Sequence, residues 1–217
     1  MRKMHRKTPQ RHYYLMHHRI NPVIKFLTLS DILLLSSFGL ITPIFAVFIT
    51  ESIKGGTVEV VGLASAIYLL TKSVSQVPIA RFLDKNKGEK DDFWAMVFGS
   101  LGITIVPLLY IFIETPVHLY LVQLFYGFFA AVAFPSWMAI FTRHIDKERE
   151  GLEWGVYQTL IDLGTAASAS LGGFLAYRFG FAPLFVVISI ISFFGTLFLL
   201  GVYHDMKEGP VLAHKKK

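Results

Sequence analysis

The sequence predicts an all-α membrane protein with six transmembrane helices, arranged as two inverted three-helix repeats. Three observations predict it: a composition too apolar for one soluble core, six apolar stretches of bilayer-spanning length, and landmark residues that recur between the two halves of the chain. The 217 residues are 53% hydrophobic and 15% aromatic, with a mean hydropathy of +0.52. A soluble domain built around one core is normally far less apolar.

The six stretches lie at 23–49, 60–80, 93–113, 117–141, 154–177 and 183–203. Each approaches the roughly 20 residues that a hydrocarbon core demands. They divide the chain into a basic segment 1–22, a transmembrane domain 23–203 and a tail 204–217. The first segment carries Arg2, Lys3, Arg6, Lys7, Arg11 and Arg19. It has no short apolar core ending in a small-residue cleavage site, so the first span is expected to act as an uncleaved anchor.

Lysines and arginines set the expected orientation. The amino terminus, the loop with Lys85, Lys87 and Lys90, the loop with Arg143, Lys147 and Arg149, and the tail with Lys207 and Lys215, Lys216 and Lys217 fall on one side; Lys54 and Arg178 fall on the other. The positive-inside rule then puts both termini in the cytoplasm. The same residues largely account for the net charge of +6. The basic amino terminus with Tyr13 and Tyr14 resembles a nucleic-acid arm, but beside a span it reads as contact with anionic lipid head groups. His17 and His18 are too isolated for a metal site, and the chain has no cysteine. No cofactor is expected.

The repeat shows in the first and fourth spans, "DILLLSSFGLITPIFAVFIT" from Asp31 and "QLFYGFFAAVAFPSWMAIFT" from Gln123. Each runs from a polar residue to a proline, Pro43 or Pro135, and on to Thr50 or Thr142 at the same spacing. An offset one residue longer pairs Gly62 with Gly155, and Ala80, Asp84 and Lys85 with Gly173, Tyr177 and Arg178. Three spans reverse topology, so the two copies, about 23–113 and 117–203, cross the membrane in opposite senses, as in inverted-repeat transporters. Pro43 and Pro135 are expected to kink or loosen their helices.

The loop "ARFLDKNKGEK" after the second span resembles the loop motif of the major facilitator superfamily, with Ala80 at the small position, Asp84 as the acid, Lys85 as the base and Gly88 as the turn glycine. It departs in having Ala for Gly and a turn lengthened by Asn86 and Lys87. The resemblance implies a gating loop that contacts the other half of a transporter and stabilises one access state. A carboxylate near a positive helix terminus contributes roughly 0.3 to 1 kcal/mol when exposed.

Two further stretches extend the resemblance. "GVYQTLIDLGTAASASLGG" is similar to the glycine-rich fifth-helix motif of the family's antiporters through Gly155, Gly164, Ser168, Ala169, Gly172 and Gly173. The link "DKEREGLEWG" matches through Arg149 and Gly151. The arginine that proton-coupled antiporters often carry four residues before a fourth-helix glycine is replaced here by Gln123, ahead of Gly127.

Family members have twelve helices in two halves, and this chain supplies six. A lone half would leave the pathway wall open to lipid. The expected partner is a second copy in a parallel, isologous dimer, with a similar but different half as the alternative. Gly164, Ser168 and Gly172, one every four residues, would form a small-residue stripe facing the second span of the other copy. Gly155 and Gly173 belong to the same contact. The expected setting is a bacterial or archaeal cytoplasmic membrane, and the implied substrate is a small molecule.

Charge inside a span costs at least about 2.5 kcal/mol at mid-depth. Asp31, Lys72 and Asp162 each fall eight residues from the basic-side end of their stretch, at a depth of roughly 12 Å. They are expected to form a charge cluster lining the path, with one carboxylate binding a proton or a cationic substrate. The alternatives are that Lys72 and Asp162 pair structurally between copies, or that Lys72 snorkels to the interface. Gln123, Tyr126, Trp137 and Gln158 are candidate substrate contacts. A secondary transporter is the leading reading, a non-transporting scaffold or subunit is the second, and no nucleophile motif, metal-ligand pair or phosphate loop supports an enzyme.

Overall fold

A computed structural model describes residues 21–85 and 88–207. The described residues form seven α-helices: α1 (Pro22–Gly39), α2 (Phe45–Ser52), α3 (Val58–Leu83), α4 (Glu89–Tyr110), α5 (Pro116–His144), α6 (Glu150–Phe179) and α7 (Phe181–Lys207). A 3-10 turn at Thr42–Ile44 lies between α1 and α2. Since α1 and α2 share one crossing, there are six helical stretches long and apolar enough to cross a membrane. They match the six expected spans, the third ending slightly earlier at Tyr110 where bonds to carbonyls three residues back tighten the chain. The arginines and lysines of segment 1–20, with Tyr13, Tyr14, His17 and His18, lie outside the described residues, as do Asn86, Lys87 and Lys215, Lys216 and Lys217.

Local signals place the helix ends. Asn21 caps α1, its side-chain oxygen accepting from the Val23 N–H at 3.0 Å, while its amide donates to the His144 carbonyl at 3.1 Å. One residue therefore starts the first span and ties it to the end of the fourth. Thr57 caps α3 by accepting from the Val60 N–H. Acids open α4 (Glu89, Asp91, Asp92) and α6 (Glu150, Glu153), and Arg143 and His144 close α5; all are on the favourable end of the helix dipole. Gly180, at φ +81°, is the single residue between α6 and α7.

The two landmark prolines differ. Pro43 sits in the 3-10 turn where the first crossing breaks, because a proline has no N–H to continue the ladder. Pro135 lies within α5, which runs unbroken from Pro116 to His144. The chain thus leaves the helical ladder at Pro43, whereas α5 continues as one helix through Pro135 between α3 and α4, its two main neighbours.

The main helix pairings run in an open series, α3–α5–α4–α7–α1–α6, with weaker α1–α5 and α6–α7 contacts. Exchanging the first three spans with the last three turns every main pairing into another of the same series. Burial follows position. In the most apolar stretch of each helix, 61% of α4 and 44% of α7 is buried, against 6% of α3 and 11% of α6.

Small residues mark the tight crossings, as packing in lipid requires. A methyl group at Gly99 of α4 would lie 2.6 Å from the Ala133 nitrogen of α5, and one at Gly195 of α7 would lie 2.9 Å from the Ser30 carbonyl of α1. On α6 the Gly164–Ser168–Gly172 stripe packs against α1 of the same chain. A side chain at Gly172 would overlap the Leu40 carbonyl, one at Gly164 would strike Ser36, and Ser168 lies against Gly39. This corrects the expectation that the stripe joins two copies: the first span fills it. Gly155 and Gly173 lie off that seam and have nothing within 4 Å of an added methyl.

At the basic end, Arg143 of α5 pairs with the buried carboxylate of Asp92 on α4, and His144 Nε2 lies 3.7 Å from Glu89. These contacts fasten the start of α4 to the end of α5.

Candidate functional site

Asp31 stands about two turns inside α1, and its Oδ2 accepts a hydrogen bond of 2.8 Å from the Tyr157 hydroxyl of α6. The bond crosses the α1–α6 seam just on the basic side of the small-residue stripe. Tyr157 is held in place by aromatic packing, with ring centroids at 5.3 Å from Trp137, 5.4 Å from Phe141 and 5.7 Å from Trp154. Trp137 is buried and stacks on Phe141 at 4.8 Å, and its Nε1 has no hydrogen-bond partner among the described residues. A carboxylate with one fixed donor, on the rim of an aromatic wall, is equipped to take up and release a proton or to meet a polar ligand group.

A second group lies deeper. Tyr126 of α5 is sandwiched between Phe38 of α1, stacked at 5.6 Å, and Tyr68 of α3 at 4.5 Å. All three rings are half-buried. They bring three helices together at one face, where each ring keeps part of its surface exposed. Gln123, one turn away, is 3% exposed and donates from Nε2 to the Tyr110 hydroxyl at 3.1 Å. Its amide is engaged in the α5–α4 seam and does not line an open face.

The three charges do not meet within one chain. Asp31 bonds Tyr157; Lys72 Nζ lies over the Phe134 ring at 4.5 Å; Asp162 is exposed and accepts from Gln158 on its own helix at 2.8 Å. No ion pair among the described residues includes any of them. The physical reason is position: Lys72 is on α3 and Asp162 on α6, the opposite ends of the open helix series.

In the charged loop, Ala80 accepts from the N–H of Asp84, the C-cap of α3, at 2.9 Å. Asp84 and Lys85 are exposed, and Gly88 caps α4. Asp84 stands at the negative end of its own helix, so the helix dipole gives its carboxylate no support. Among the described residues no three His, Asp or Glu side chains converge to hold a metal ion.

Sequence reasoning missed Tyr157, Tyr68, Tyr110 and Phe38. Tyr157 had a signal available: it shares the helical face of Ile161, Gly164 and Ser168, the face that packs on α1, whereas its neighbour Gln158 looks outward. Aromatic pairings between helices distant in sequence leave no such trace.

The site and fold can be set beside known proteins. The chain is similar to an uncharacterized MFS-type transporter, MJ1560, of Methanocaldococcus jannaschii, with 27% identity over 82% of this chain and 44% of the relative. It is 28% identical to the multi-drug resistance efflux pump PmrA homolog of Lactococcus lactis, over 83% of this chain and 45% of that protein. It also resembles the uncharacterized MFS-type transporter YitZ of Bacillus subtilis, at 24% identity over 75% of this chain and 95% of YitZ. The chain thus spans less than half the length of the first two relatives and matches nearly all of the third. Residues 27–216 fit the profile of the Major Facilitator Superfamily, and with six membrane-length helices in a wholly helical fold the chain belongs to that superfamily.

Proposed function

We propose that the chain is one half of a secondary transporter that moves a small molecule by alternating access, and that two copies assemble in parallel around the path. One observation carries this reading: the least apolar spans are the least buried. α3 and α6 have mean hydropathies of 1.3 and 1.2 with 6% and 11% buried, whereas α4 and α7 have 1.8 and 2.5 with 61% and 44% buried. A self-sufficient bundle in lipid would hide its polar helices and expose its apolar ones. The reverse order fits a half whose α3 and α6 are covered by a second half.

The exchange symmetry of the helix pairings supports an inverted repeat, the architecture that rocks about a central site. In this reading Asp31 is the proton-responsive group, coupled to movement across the α1–α6 seam through Tyr157. Phe38, Tyr68 and Tyr126 offer flat, partly apolar contact to the substrate, with Trp137 as the wall beside Asp31. Asp84 and Lys85 gate the basic end by meeting the partner's helices, and both termini lie in the cytoplasm. The efflux function of the PmrA homolog favours export as the direction, and the family favours transport over catalysis.

The test is flux from proteoliposomes of the full chain, screened with amines, nucleosides and organic acids while a trapped dye reports internal pH. Transport accompanied by proton movement is expected. Asp31→Asn should reduce both to background with an unchanged thermal melt, and Tyr157→Phe should reduce them less. Full flux from Asp31→Asn would remove that carboxylate from the mechanism.

A further inference from the structure

We propose that Lys72 of one copy pairs with Asp162 of its partner, twice across a two-fold axis along the membrane normal, and that this pair sets the register of the dimer. The inference deepens the two-copy reading above and rests on it.

Each rim helix presents two unlike exposed faces. On α6, with 3.6 residues per turn, Gly155, Asp162, Ala166, Ala169 and Gly173 share one side. Leu160, Leu163, Leu171 and Phe174 share another, and these four are 40%, 64%, 56% and 57% exposed. On α3, Gly62, Ser65, Lys72, Ser73, Gln76 and Ala80 are grouped together, apart from Leu63, Leu70, Val74 and Val77, which are 49% to 72% exposed. The large apolar sides suit lipid. The small and polar sides do not: hydrocarbon satisfies neither charge, and small residues allow a helix backbone to approach closely. Gly62, Gly155 and Gly173 all stand in open space, so the room for such an approach exists on both helices.

Charge complementarity selects the occupant. The small face of α3 carries one cation and that of α6 one anion, and neither has an ion-pair partner among the described residues. Lys72 stands eleven residues before the end of α3 at Leu83, and Asp162 twelve after the start of α6 at Glu150. Both ends are on the basic side, so the charges lie at the same depth, about 17 Å along their helices. A two-fold axis sets α3 of each copy antiparallel to α6 of the other, bringing cation to anion in both contacts. Gln158, bonded to Asp162 at 2.8 Å, steadies the carboxylate on that face, and the long Lys72 side chain can leave Phe134 for it.

The experiment uses two differently tagged full-length copies co-expressed in one membrane. Co-purification of the wild-type pair reports assembly. Lys72→Cys in one copy and Asp162→Cys in the other, treated with a short bis-maleimide in intact membranes, report the contact; the chain has no cysteine of its own, so a linked product has one source. Lys72→Asp and Asp162→Lys alone should each weaken pairing about thirtyfold or more, and the double reversal should recover most of it. Wild-type pairing without the cross-link, and with no recovery in the double reversal, overturns the ion pair and leaves the dimer standing. Wild-type copies that never co-purify overturn both.

Discussion

α4 and α7 form the inside of the bundle, and α3 and α6 its rim. The inner pair carry their charges only near the helix ends, beginning at Glu89 in α4 and ending at Lys207 in α7, and are packed by small residues such as Gly99 and Gly195. The rim pair carry Lys72 and Asp162 in mid-span and are almost unburied. In water that contrast would be ordinary, with polar surface outside. In lipid it is inverted, and in the two-copy reading the rim is an unfinished interior. The same lesson holds within α6, whose Tyr157–Gly172 side is filled by α1 while its Asp162 side is open.

The sharpest way to break the comparison is to place one large side chain on each side of α6. Gly172→Leu drives carbon into the Leu40 backbone and should destabilise the chain by about 3 kcal/mol, read as a large drop in melting temperature in detergent. A Gly172→Leu chain as stable as wild type would show that the α1–α6 seam is not tight. Arg143→Met strips the cation from the buried Asp92. Because Arg143 is itself 41% exposed, the cost is about 1 to 2 kcal/mol. It should shrink when Asp92→Asn is added, and a double-mutant cycle checks it. Gly155→Leu meets only open space, so the melt of a single chain should shift by less than about 0.5 kcal/mol equivalent. Co-purification of tagged copies should nevertheless fall.

Much of the fold was legible because lipid imposes one rule per span: about 20 apolar residues, whatever the neighbours. The spacing of Pro43 and Pro135, and of Gly62 and Gly155, suggests an internal repeat, and the helix pairings are consistent with it. What was not legible is which side of a helix a partner fills. Gly164, Ser168 and Gly172 form a small-residue stripe, but a stripe accepts any close helix, and α1 of the same chain takes it. Gln123 looked like a path residue because it is polar in mid-span, yet Tyr110, thirteen positions earlier, satisfies it. Asp31 stood out as a lone acid, whereas its partner Tyr157, 126 residues away, depended on a helix crossing that no local pattern encodes. Equal depth alone predicts that Lys72, Asp31 and Asp162 gather; the helix order sets Lys72 and Asp162 at opposite ends.

The central claim is that the small, polar side of each rim helix is covered by protein. It is tested most directly by comparing two positions on α6, Ala166 on that side and Leu163 on the apolar side, each changed singly to cysteine in a chain that has none and labelled with a fluorophore in bilayers containing brominated lipid. Strong quenching from the Leu163 position with protection at the Ala166 position is the predicted result. Equal quenching at both would mean that lipid bathes the whole helix and would contradict the account.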